Sequence, residues 1–87
     1  MKFAPEAGDV GVIGNVDFVT RNALGSVGLF LPNVTANGYA SAAQNLVDVD
    51  LRYFCSSIPD GMNYGDACMA DITEENGVLY AENMQAL

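Results

Sequence analysis

The sequence predicts a mainly β domain, a small antiparallel sheet or sandwich of about five short strands with long loops and ordered terminal arms. Residues 46–55 alternate apolar and polar side chains, as expected for a strand with one buried face. Residues 10–21 alternate in the same way, and Asn-Gly and Pro-Asp-Gly turn signals separate the later apolar runs. Together these patterns favour strands over helices.

The chain has 87 residues, which predicts a single domain over 1–87, with an N-terminal arm at 1–9 and a C-terminal tail at 83–87. Hydrophobic residues make up 51% and charged residues 16%, against a usual charged share of about 25%. A small domain with so much apolar material leaves part of it exposed, and such a patch usually binds a partner. We therefore expect an oligomer, or a subunit of a larger assembly.

The first two strands are predicted at residues 10–21 and 27–31. In the first, the residues expected on the buried face are Val10, Val12, Gly14, Val16, Phe18 and Thr20. The second ends at Pro32, which cannot donate a backbone hydrogen bond. Residues 33–45 are then small and polar, which suggests either a binding loop or an arm that reaches a neighbouring subunit, and the composition favours the arm.

The strand predicted at 46–55 is expected to be the centre of the core. Its apolar face comprises Val47, Val49, Leu51, Tyr53 and Cys55, and its polar face comprises Asp48, Asp50 and Arg52. The two aspartates resemble a catalytic carboxylate pair. Because Arg52 continues the same face and the chain has no histidine, we interpret this face as solvated, with a weak Asp50–Arg52 contact.

The last third of the chain offers two alternatives. Residues 59–61 form a Pro-Asp-Gly turn, and residues 66–76 fit either a short helix capped by Asp66 or a strand that enters the Asn76-Gly77 turn. The apolar run at 78–82 favours the second alternative, a β-hairpin.

The formal net charge is −8, and residues 48–87 carry Arg52 against eight acidic residues. This balance repels phosphate, so the sequence predicts no direct binding of nucleic acid. The acidic half either keeps the protein soluble or binds a basic partner. We predict no membrane span and no signal peptide, with synthesis in the cytoplasm and a final location that can be a virion or another particle.

The sequence offers no catalytic, cofactor-binding or metal site. Cys55 and Cys68 are predicted to be buried free thiols, and the absence of histidine excludes a Cys–His or Ser–His nucleophile pair and a typical zinc site. A calcium loop that starts at Asp60 fails, because Met62 and Tyr64 occupy positions that must supply oxygen ligands. We therefore predict that the chain is not an enzyme and binds no cofactor.

The expected function is that of a structural subunit held by protein–protein contacts, with a virion decoration, minor capsid or tail component as the favoured setting. The candidate partner contacts are Tyr39, Tyr64 and Phe30. The alternative function is a small acidic inhibitor or binding module that occupies a basic site on a target protein. Moderate salt would release the acidic module from its target but would leave apolar contacts of an assembly intact.

Overall fold

A computed structural model describes residues 4–37 and 52–87 of the chain. The described part contains a single helical turn, α1 (Val34–Asn37). Its five strands are β1 (Val12–Asn22), β2 (Gly25–Pro32), β3 (Tyr53–Ile58), β4 (Ala67–Glu75) and β5 (Val78–Ala86). The prediction of a mainly β domain of about five strands is confirmed.

The five strands close into a barrel in the order β1-β2-β3-β5-β4. Strands β1, β2 and β3 form an antiparallel meander, and β4 returns to pair with β1, so that the first four strands make a Greek key. Strand β5 follows β4 in a hairpin and pairs in parallel with β3, which closes the barrel. Closure pairs every strand on both sides and removes the free edges of an open sheet.

β-Bulges supply the curvature that closure requires. Asp17 is the extra residue in β1, because Val16 pairs with Phe30 while Phe18 pairs with the next residue, Leu29. A second bulge in β5 includes Asn83, whose φ of 54° lies in the left-handed region. A bulge bends its strand and re-aims the side chains that follow it.

The bulge at Asp17 overturns part of the predicted buried face of β1. Val12, Gly14 and Val16 are buried as predicted, but Val10, which precedes the strand, is exposed. Beyond the bulge the alternation is inverted, so that Phe18 and Thr20 are exposed as well and Val19 packs against the core.

The core fills the interior of the barrel. It comprises Val12, Val16, Phe30, Tyr53, Cys55, Ile58, Met62, Cys68, Ala70, Ile72, Ala81 and Met84. Phe30 has 0% exposure and is among the largest completely buried side chains. The prediction that Phe30 contacts a partner is therefore wrong, because its ring lies inside the barrel.

Strand β3 covers the end of the predicted central strand and continues three residues beyond it. Tyr53 and Cys55 are buried and Phe54 is exposed, as the predicted alternation requires. Residues 46–51, which include Asp48, Asp50 and three members of the predicted apolar face, lie outside the described residues.

The β4–β5 hairpin confirms one of the two alternatives for residues 66–76. Asn76 and Gly77 connect the strands with φ values of 54° and 82°, the two positive values that a two-residue type I′ turn requires. The helical alternative is wrong. Strand β5 then runs to Ala86, through most of the predicted C-terminal tail.

The N-terminal arm, described from residue 4, lies against the barrel. The Gly8 amide donates to the Ile72 carbonyl at 2.8 Å, and the Ile72 amide donates to the Asp9 carbonyl at 2.8 Å. The hydroxyl of Tyr53 donates to the buried Pro5 carbonyl, also at 2.8 Å. The arm is thus hydrogen-bonded to β4 and to the core residue Tyr53.

The start of the predicted arm at 33–45 is also held by the barrel. The Asn37 amide group bonds both backbone groups of Ile13, accepting from its N–H at 2.8 Å and donating to its carbonyl at 2.7 Å. Asn33 caps α1 by accepting from the Ala36 amide. The remainder of this stretch, including Tyr39, lies outside the described residues.

Candidate functional site

A row of large apolar side chains crosses the outside of the barrel on four neighbouring strands. Phe18 of β1 pairs with Leu29 of β2, Leu29 pairs with Phe54 of β3, and Phe54 pairs with Tyr80 of β5. Directly opposed residues of neighbouring strands project from the same face of the sheet. We call Phe18, Leu29, Phe54 and Tyr80 the apolar row.

The apolar row is accessible to solvent. Phe18 is 50% exposed and Phe54 is 54% exposed, and the Phe54 and Tyr80 rings lie with centroids 6.1 Å apart. An open groove of about 530 Å³ follows the row, lined by Phe18, Val27, Gly28, Leu29, Phe54, Cys55, Ser56, Val78 and Tyr80. Apart from the hydroxyl groups of Ser56 and Tyr80, the side chains that line the groove are apolar. The groove therefore offers a largely apolar surface.

Two local features place Phe18 on this surface. The bulge at Asp17 turns the Phe18 ring outward, and Gly28 lets the backbone of β1 approach β2 closely. A Cβ at Gly28 would lie 2.8 Å from the Ile58 Cδ1 atom and closer still to the Phe18 carbonyl oxygen. A glycine at residue 28 is therefore needed for β1 and β2 to pair as closely as they do beside Phe18.

A second depression, the acidic pocket, adjoins the groove. Its volume is about 370 Å³, and its lining residues are Ser56, Thr73, Glu74, Glu75, Tyr80 and Glu82. Ser56 and Tyr80 line both depressions. The Ser56 hydroxyl lies 3.1 Å from both carboxylate oxygens of Glu82, to which it donates. The apolar surface thus has an acidic border.

Both cationic side chains of the described residues are bonded elsewhere. Arg52 forms an ion pair with Asp17 at the bulge of β1. Arg21 donates to the Ser26 hydroxyl at 2.7 Å, to the Met62 carbonyl at 2.6 Å and to the Asn63 side chain at 3.1 Å. Neither arginine lines the groove or the acidic pocket, so neither neutralises the glutamates there.

The predicted contact residues do not come together at this site. Tyr64 is 71% exposed in the loop between β3 and β4, but it does not line the groove. Phe30 is inside the barrel, and Tyr39 is outside the described residues. Tyr80 is half-buried on the outer face because Leu79 and Ala81 take the inward positions.

The sequence contains a signal for Phe54, a residue of the site that is not among the predicted partner contacts. Phe54 stands on the polar side of the alternation at 46–55, where a strand with a wholly solvated face would carry a polar side chain. Phe18 carried no such signal, since both faces of residues 16–19 contain apolar residues and the bulge decides which face is buried.

The described residues include two cysteines and nine acidic side chains, the residue types of this chain that most often ligate metals. Among them no three cysteine or acidic side chains are grouped closely enough to hold a metal ion. Cys55 and Cys68 are buried and free, as predicted. Burial, followed by the neighbouring Cys68, raises the pKa of Cys55 to about 12, and burial, followed by Asp66, raises that of Cys68 to about 11.

We expect both thiols of the folded protein to resist a disulfide reagent such as DTNB at pH 8 and to react fully in urea. Thiolates are the reactive form, and raised pKa values keep these thiols protonated. The same shifts stabilise the fold below pH 9, the ordinary thiol pKa, and this stabilisation is lost as the pH rises towards 11–12. Urea unfolding from pH 8 to 11 measures this loss. Rapid reaction of either thiol without urea would contradict the buried core.

No protein-family model, curated protein or solved structure matches this chain. Within residues 4–37 and 52–87, no helix has the length and apolar character needed to cross a membrane.

Proposed function

We propose that this chain is a non-enzymatic structural subunit of a larger protein assembly and that it docks onto its partner through the apolar row. The observation that carries the proposal is the registered set of apolar side chains on the outer face of four strands, with Phe18 and Phe54 exposed and Leu29 and Tyr80 half-buried. Contiguous exposed apolar surface with a polar border is typical of protein–protein interaction sites.

The energetics of such a face favour docking. Burial of apolar surface is worth about 25 cal/mol per Å², and aromatic side chains often supply most of the binding energy of an interface. The row lies on paired strands of a closed barrel, so its side chains are held in place before the partner arrives. Docking onto a preorganised surface loses less conformational entropy than ordering a loop.

Charge argues against nucleic acid as the partner. The OB-fold, another five-stranded barrel, binds oligonucleotides across the outer face of its strands 2 and 3. Architecture alone does not establish function. Here the groove borders Glu74, Glu75 and Glu82 and the chain carries a net charge of −8, which repels phosphate.

A virion decoration, minor capsid or tail component is the setting that we propose for such a subunit, on the general character of the sequence. The acidic pocket favours a second candidate, a small acidic module that occupies a basic site on a target protein. The two candidates differ in their partner: a repeated subunit of a particle in the first, and a single target molecule in the second.

Site-specific photocrosslinking tests the docking face. Benzoylphenylalanine at residue 54 replaces one exposed aromatic side chain with another, and the same probe at residue 64 is the matched control in a loop away from the groove. Irradiation of the native assembly should link residue 54, but not residue 64, to one defined partner protein. Crosslinks from residue 64 alone would overturn the proposed face.

A further inference from the structure

The boundary between the groove and the acidic pocket runs along one strand. Val78, Tyr80 and Glu82 alternate along β5, and their side chains project from its outer face. Glu75 pairs with Val78 across the hairpin, so a carboxylate stands directly opposite a groove residue. A ligand seated on the groove therefore lies beside carboxylates along the β5 side of its site.

This arrangement selects among occupants. A second copy of the chain, seated with the same face, would bring its own glutamates against these and add like-charge repulsion. An oligonucleotide would bring phosphates to the same border. A protein segment that carries a cation beside an apolar side chain would complement both the apolar groove and the acidic pocket.

On the basis of the proposed function, we propose that the partner presents an extended segment with a large apolar side chain next to Lys or Arg. The apolar side chain occupies the groove, and the cation enters the acidic pocket among Glu74, Glu75 and Glu82. Tyr80 lines both depressions, so its ring can contact the aliphatic stem or the charge of that cation. An Arg guanidinium would additionally form paired hydrogen bonds with a carboxylate.

Three synthetic heptapeptides test the inference by NMR titration of the full chain. One alternates Leu and Phe with Lys and Arg, the second has Glu at the basic positions, and the third has Gln there. The basic peptide should bind most tightly, should shift the amide signals of Val78, Tyr80 and Glu82, and should bind more weakly as salt rises. The double variant Glu74→Gln/Glu75→Gln should weaken the basic peptide by about fivefold and leave the Gln peptide unchanged.

The matched control is Glu6→Gln/Asp60→Asn, which removes the same charge from exposed residues outside the acidic pocket. At the same ionic strength, this control variant should bind the basic peptide as tightly as the unchanged chain does. Equal or tighter binding of the Glu peptide would overturn the inference, as would absence of shifts at millimolar basic peptide. Groove signals shifted instead by oligo(dT) or by self-association would also overturn it. A partner crosslinked from residue 54 together with charge-independent peptide binding would refute this inference alone.

Discussion

The substitution Gly28→Ala should destabilise the native fold by about 3 kcal/mol or more. The added Cβ would meet the backbone carbonyl oxygen of Phe18 well inside van der Waals contact and would lie 2.8 Å from the Ile58 Cδ1 atom. A side chain can change rotamer, but a carbonyl held in the β1–β2 ladder moves only if the strand pair separates. Overpacking in a core typically costs about 1–3 kcal/mol, and a backbone collision belongs at or above the upper end of that range.

Circular dichroism with thermal and urea unfolding measures the effect, and Val27→Ala is the control. Val27 is the preceding residue of β2, with its side chain in the outer groove, so its truncation should cost about 1 kcal/mol or less. A Gly28→Ala protein as stable as the unchanged chain would show that β1 and β2 do not approach each other as closely as described.

The substitution Phe54→Ser should weaken partner binding by roughly 30-fold or more while leaving the barrel folded. Phe54 lies in the middle of the apolar row, between Leu29 and Tyr80, and more than half of its surface is exposed. Its replacement therefore removes little of the folded core. A central aromatic contact is often worth about 2 kcal/mol or more, which corresponds to an affinity loss of roughly 30-fold or greater.

Affinity for the crosslinked partner, measured by calorimetry, checks this prediction once that partner is purified. Tyr64→Ser is the matched control, because it removes an exposed aromatic ring that does not line the groove. Both variants should unfold within about 1 kcal/mol of the unchanged chain. Equal affinity for Phe54→Ser and Tyr64→Ser would mean that the partner binds another surface.

Short-range features of the sequence correctly predicted the final hairpin and the end of β2. The Asn76-Gly77 turn identified the final hairpin, because few residue pairs adopt two positive φ values. Pro32 correctly marked the end of β2. Closure of the sheet into a barrel was not predictable in this way, since it depends on long-range pairing of β1 with β4 and of β3 with β5.

The candidate site was harder to predict than the fold because a single bulge determines it. A strict alternation through residues 10–21 places Phe18 in the core, whereas the extra residue Asp17 shifts the pattern by one position and exposes it. Phe30 shows the opposite error: nothing in its run of apolar neighbours distinguishes an inward from an outward ring. In the structure Phe30 pairs with Val16, and both side chains lie inside the barrel.

The acidic character of the C-terminal half was evident from the sequence, but its placement was not. Glu74 and Glu75 precede the hairpin turn and Glu82 follows it, and all three line one pocket with Ser56 of β3. Because this pocket lies beside the apolar row, the two proposed functions, an assembly subunit and a binder of basic surfaces, would use neighbouring parts of one face.

Fluorine NMR of the chain labelled with 4-fluorophenylalanine tests the docking face most directly. In the free protein the resonances of Phe18 and Phe54 should respond to exchange of H₂O for D₂O, whereas that of the buried Phe30 should not. On binding to the native partner, the Phe18 and Phe54 resonances should shift and lose this solvent response. If both rings stay open to solvent in the complex, the apolar row is not the docking face.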